Sequence, residues 1–186
     1  MRSRTVTLAF HKVEELDKRH EMWQTRAGMW FFGQYVHVDL RFEDGTATSI
    51  HNKGTVFLTP RALTSPCKKL LNLSVTDAQY NAMREFAVQT NKRNIPFNKS
   101  GFFRCAFPFI WKRCDDRSYF CSEYATRLLQ QAGWLEGFEA GRMHPTLLMD
   151  LMQPHCLLTG NEATLRTASI SLSGILAPKN GGYGRL

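Results

Sequence analysis

At 186 residues the chain fits one domain. With 43% apolar residues, 13 of all residues being phenylalanine, it can bury a core, which excludes a disordered chain and a coiled coil. Lys and Arg outnumber Asp and Glu by 24 to 16, a net charge of +8, yet the basic residues stand singly or in pairs such as Lys68-Lys69 and Lys92-Arg93. That spacing excludes a polybasic tail and reads as solvated surface, leaving room for weak contact with nucleic acid or an anionic surface.

In chain order, Thr5-Val-Thr-Leu-Ala-Phe10 reads as a first strand. Val13, Leu16, His20 and Trp23 follow at the spacing of a helix face. From Trp30 to Phe42 the sequence alternates as a strand, with Val36, Val38, Leu40 and Phe42 on one face and Tyr35, His37, Asp39 and Arg41 on the other. Glu43-Asp44-Gly45 has hairpin chemistry, Thr46–His51 returns as the partner strand, and Thr55–Thr59 forms another short strand stopped by Pro60. Thr76-Asp-Ala-Gln79 has capping-box form ahead of a stripe of Tyr80, Met83, Phe86 and Ala87, which predicts a helix. Residues 93–117 carry Pro96, Gly101 and Pro108 among aromatics and read as an irregular buried segment with some strand. A second helix is expected from Cys121 to Ala132, closed by Gly133, and a third from Pro145 to just before Pro154. Residues 1–178 are read as one domain and 179–186 as a loose tail.

The five cysteines, at 67, 105, 114, 121 and 156, are odd in number and lack paired spacing, so no disulfide framework is expected. No apolar leader follows Met1 and no run of 18 apolar residues occurs. The expectation is a reducing, cytoplasmic compartment without a signal peptide or a membrane span.

Two residues carry the chemistry. Cys121 opens a helix behind the apolar pair Tyr119-Phe120. The positive end of the helix dipole favours thiolate there, and free backbone N–H groups lie close by. A buried structural cysteine is the bland alternative. His37 lies mid-strand on the polar face, where a surface histidine would be unremarked. A thiolate, however, needs an imidazole to take its proton and return it to a leaving group.

The ordered set Val6–Phe10, Trp23-Gln-Thr25, Tyr35-Val-His-Val-Asp-Leu-Arg-Phe42, Phe120-Cys-Ser-Glu-Tyr124 and His144-Pro-Thr-Leu-Leu-Met-Asp-Leu-Met152 resembles the circularly permuted branch of the NlpC-type papain-like superfamily. That branch includes the YaeF/YiiX-type amidases and their viral relatives, and the resemblance spans roughly residues 5–153. It implies an α+β fold in which a small antiparallel sheet or partial barrel packs on the nucleophile helix. It also implies a histidine strand preceding the cysteine helix. Val36 departs from the pattern, since relatives often carry a small residue before the histidine.

Such a site orients its histidine with a third polar group on the adjoining strand. A two-residue Asp44-Gly45 loop would set Asn52 opposite His37 and turn Ile50 to the polar face. A three-residue Glu43-Asp44-Gly45 loop pairs His37 with His51 and Asp39 with Ser49, and keeps Ile50 beside Val38. The second register makes His51 the candidate third catalytic residue, with Ser49 and Asn52 behind it. Asp39 is read as a solvated carboxylate or a partner of Arg41, and Glu123 as a helix-capping charge.

Cys105, Cys114 and Cys121 lack metal-ligand spacing, and neither a P-loop nor GxGxxG occurs, so no metal and no cofactor are expected. The implied activity is that of a cysteine hydrolase, amidase or peptidase-like, attacking an amide, ester or thioester carbonyl of a peptide, protein or lipid substrate. The alternatives are a lipid or protein acyltransferase on the same fold, and a catalytically idle basic binding protein, virion-associated if the source is viral.

Overall fold

A computed structural model describes residues 3–12, 33–52, 54–61, 68–104 and 116–156. The helix expected over 13–23, the N-terminal part of the strand expected from Trp30, and the 179–186 tail lie outside them. The architecture is α+β. Five strands, β1 (Ser3–Lys12), β2 (Tyr35–Phe42), β3 (Thr46–Ile50), β4 (Val56–Pro60) and β5 (Lys68–Thr76), form one sheet in the order β4-β3-β2-β1-β5. Every neighbouring pair is antiparallel.

Four helices occur among the described residues: α1 (Asp77–Lys92), α2 (Lys99–Arg104), α3 (Cys121–Gln131) and α4 (Pro145–Met152). None is long and apolar enough to cross a membrane.

The period of two places Val6, Leu8 and Phe10 of β1 beside Phe42, Leu40 and Val38 of β2. Leu71 and Leu73 of β5 continue the same apolar face. These side chains are buried with Met83 of α1 and Leu128 of α3. Each such burial contributes about 1.5–3 kcal/mol.

Local chemistry sets the boundaries. Thr76 Oγ1 accepts from Gln79 N at 3.3 Å while Gln79 Oε1 accepts from Thr76 N at 2.9 Å, the reciprocal cap expected at the start of α1. α3 ends as expected at Gly133, which has φ +77°. α4 starts with Pro145 at its first position, capped by His144.

Three expectations need correction. β5 was not foreseen, although it pairs along β1 from Ser3↔Thr76 to His11↔Lys68. α2 is a short helix inside the segment read as irregular. Gly33, at φ +85°, and Gln34 precede β2 rather than belong to it. A Cβ on Gly33 would meet Thr146 Oγ1 at 3.0 Å, so only glycine lets α4 approach there.

The hairpin expectation holds. β2 and β3 pair Leu40 with Thr48 and Arg41 with Ala47, the three-residue-loop register, and Gly45 has φ +83°. Continued along the strands, this register puts Ser49 across from Asp39 and His51 across from His37.

Candidate active site

Cys121 is the first residue of α3, which packs on β2, β3 and α1. Tyr124, one turn on, fixes the helix. Its hydroxyl lies 2.8 Å from Thr48 Oγ1 on β3 and 3.3 Å from Thr90 Oγ1 on α1. Glu123 turns back toward the helix start, where its Oε2 accepts from Phe120 N at 3.4 Å, and Oε1 lies 3.7 Å from Arg127 Nη2. The sequence reading of Glu123 as a cap therefore stands.

The sulfur, only 2% of Cys121 being exposed, lies 4.0 Å from the carbonyl oxygen of Val36, the residue before His37. Cys121 stands close enough to His37 to raise the affinity of its ring for a proton.

His37 is buried on β2. Its Nε2–H donates to Asp39 Oδ1 at 2.9 Å, and Ser49 Oγ stands 3.4 Å from the same nitrogen. Ser49 spends its own proton on Val38 O at 2.7 Å, so toward the ring it is an acceptor. Burial pushes the His37 pKa down. Interaction with Cys121, and then with Asp39, outweighs burial and raises it to about 10.

Asp39 overturns its sequence reading. It is not a solvated carboxylate: it is 0% exposed, and its second oxygen accepts from His11 Nε2 at 2.9 Å. Burial alone would raise its pKa, but the His37 charge and the two imidazole hydrogen bonds hold it well below the usual carboxylate range. Taking a carboxylate out of water costs several kcal/mol unless its oxygens are paired, and here both are.

His51 does not make the hydrogen bond expected of it. Its ring stacks on His37, with centroids 4.7 Å apart and planes at 22°, and on Phe57 at 5.1 Å on its other side. Arg61 Nη1 donates to its Nε2 at 3.3 Å. Burial first, then the His37 charge, lower its pKa to about 4, so near neutral pH it is an uncharged plate. The orienting bond to His37 comes instead from Asp39, two residues along its own strand.

His11, which the sequence reading did not single out, completes the cluster. It is the cross-strand partner of His37, with ring centroids 5.1 Å apart and planes at 69°. The signal was present: period two on β1 places His11 on one face with Ala9 and Thr7, away from Val6, Leu8 and Phe10.

The donor atoms of His11, His37 and Asp39 lie within 4.8 Å of one another, so these three residues could hold a zinc-type ion. Cysteine spacing could not anticipate this set, because it spans two strands. Both Nε2–H groups are committed to the carboxylate in this arrangement, and an ion would have to displace both protons.

No protein-family model, curated protein or solved structure matches the chain.

Proposed function

We propose that the protein is a cysteine hydrolase, amidase or peptidase-like, with Cys121 as nucleophile and His37 as its base. The observation that carries this reading is His37 itself. One ring nitrogen is bound to a buried carboxylate, and the ring's affinity for a proton is raised by a cysteine at the first position of a helix. Because Nε2–H is committed to Asp39, Nδ1 is the nitrogen that exchanges a proton with sulfur.

The thiolate forms a bond to the carbonyl carbon, and the π electrons move to oxygen. The Cys121 backbone N–H, one of the unpaired donors of the first helical turn, receives that oxyanion. When the intermediate collapses, the amine, alcohol or thiol leaves with the proton from His37 Nδ1. Water then attacks the thioester and gives a proton to His37, and the acid is released as the thiolate re-forms. Asp39 holds the ring in the tautomer this requires, and neutral His51 stacks on one of its faces.

The histidine strand preceding the cysteine helix agrees with the order of the permuted papain-like branch, which supports that finer fold reading. Transfer of the acyl group to an amine or lipid instead of water would use the same residues.

The test requires no known substrate. Iodoacetamide at pH 6 is expected to alkylate Cys121 about ten-fold faster than Cys156, whose thiol burial pushes up to about 11. His37→Gln keeps an N–H donor for Asp39 but cannot take a proton, and should bring Cys121 down to the rate of Cys156. Equal labelling of the two cysteines in the wild-type protein, read by peptide mass spectrometry, refutes the assignment.

A further inference from the structure

We propose that His11 is a positioning residue of this site: by donating Nε2–H to Asp39 Oδ2 it fixes the carboxylate that aims the His37 ring. The inference rests on the cysteine-hydrolase reading and extends it to a residue on a different strand.

The geometry is that of a three-member line. His37 Nε2 to Asp39 Oδ1 and His11 Nε2 to Asp39 Oδ2 are both 2.9 Å. A carboxylate held through one oxygen can still turn about its terminal torsion, which is soft. Held through both, it has one orientation, and the ring it aims has one as well.

The strands are built to allow this. Ala9 pairs with Asp39, so the smallest side chain faces the carboxylate and leaves its volume to the two imidazoles. β1 is an interior strand, hydrogen-bonded to β2 on one side and to β5 on the other, and His11 itself pairs with both His37 and Lys68. A register shift follows between His11 and Lys12, and such irregularities re-aim side chains beside functional sites.

The donor type also fits the chemistry. Arg or Lys would place a permanent positive charge on the carboxylate and compete with the His37 imidazolium for it. An imidazole can hold the oxygen while neutral.

The experiment measures the second-order rate of iodoacetamide alkylation of Cys121 at pH 6, with thermal melts on the same samples. His11→Phe keeps a ring but has no donor; His11→Gln restores a donor at similar reach. Losing one charge-assisted hydrogen bond should slow alkylation about ten-fold in His11→Phe, with His11→Gln within about three-fold of wild type. In an Asp39→Asn background His11→Phe should add no further slowing, because His11 acts through that carboxylate.

His11→Met, which has similar reach and no donor, replaces the Phe variant if that protein does not fold. If the donor-free variant alkylates at the wild-type rate while His37→Gln is slow, His11 has no positioning role and the dyad stands. If His11→Gln is as slow as the donor-free variant, packing rather than the hydrogen bond matters, and the inference is overturned. If His37→Gln itself reacts like wild type, the hydrolase reading falls and this inference with it.

Discussion

Asp39 Oδ1 and His37 Nε2 meet at 2.9 Å from alternate positions of a single strand, and the carboxylate making this bond is 0% exposed. The imidazole and the carboxylate bonded to it thus belong to one rigid element, and no loop has to close to bring them together. Cys121 reaches this pair from a separate helix.

The influence of Cys121 should be visible in the titration of the His37 ring. His37 is expected to titrate near 10 in the wild-type protein, burial being outweighed by Cys121 and Asp39. Cys121→Ala removes the larger of those two influences and should move the midpoint down, toward its ordinary value near 6.5. Imidazole resonances followed by NMR against pH check this. An unchanged midpoint in the alanine variant would show that the sulfur does not act on the ring.

Asp39→Ala should destabilise the fold by about 3 kcal/mol or more, because it strands two buried imidazoles that shared one carboxylate. Cys121→Ala should cost no more than about 1–2 kcal/mol, since it deletes one sulfur atom. Urea denaturation of the two variants beside the wild type separates these outcomes. Similar small losses would mean that the His11–Asp39–His37 line contributes little to folding.

Much of this was legible in the sequence, and the exceptions share a cause. The loop register could be read because it alone keeps Ile50 beside Val38 and Leu40, a constraint contained within 15 residues. Cys121 stood out as an apolar-flanked helix start. Asp39 was misread because period two reports which residues share a face but not whether that face meets water. The partner that buries it, His11, lies 28 residues earlier on a strand whose register no short turn sets. β5 escaped notice because Lys68-Lys69-Leu70-Leu71 breaks the alternation just where the strand begins, ahead of a strong helix cap.

His51 makes stability depend on pH on the acid side. Its pKa is near 4 in the folded protein against 6.5 ordinarily, so between those values the unfolded chain binds a proton that the folded one refuses. The contribution is whole above 6.5 and is lost as pH falls through 4. Wild type should therefore lose more melting temperature between pH 6.5 and pH 4 than His51→Phe does. Solvent at the exposed side of the ring screens the effect, so it is read as a direction. Parallel losses in the two proteins would contradict the stacked, neutral state.

Gly45→Ala tests the hairpin. The position has φ +83°, and an added Cβ would have only Arg41 Nη2 near it, at 3.8 Å, so the cost is conformational and not a clash. A loss of about 1 kcal/mol is expected in urea denaturation. No loss would mean that the loop does not use the left-handed conformation, and the pairing of β2 with β3 would have to be redrawn.

Among the described residues every strand of the sheet falls within residues 3–76, and Cys121 follows the last of them by 45 positions. During synthesis the N-terminal part of a chain emerges first. His37 and Asp39 therefore leave the ribosome before Cys121 does. Until α3 forms and docks, Cys121 has neither a helix terminus nor an imidazole beside it, and reacts as any cysteine in an unfolded peptide would. The order of elements along the chain makes the meeting of Cys121 with His37 a late event, since α3 is made after every described strand.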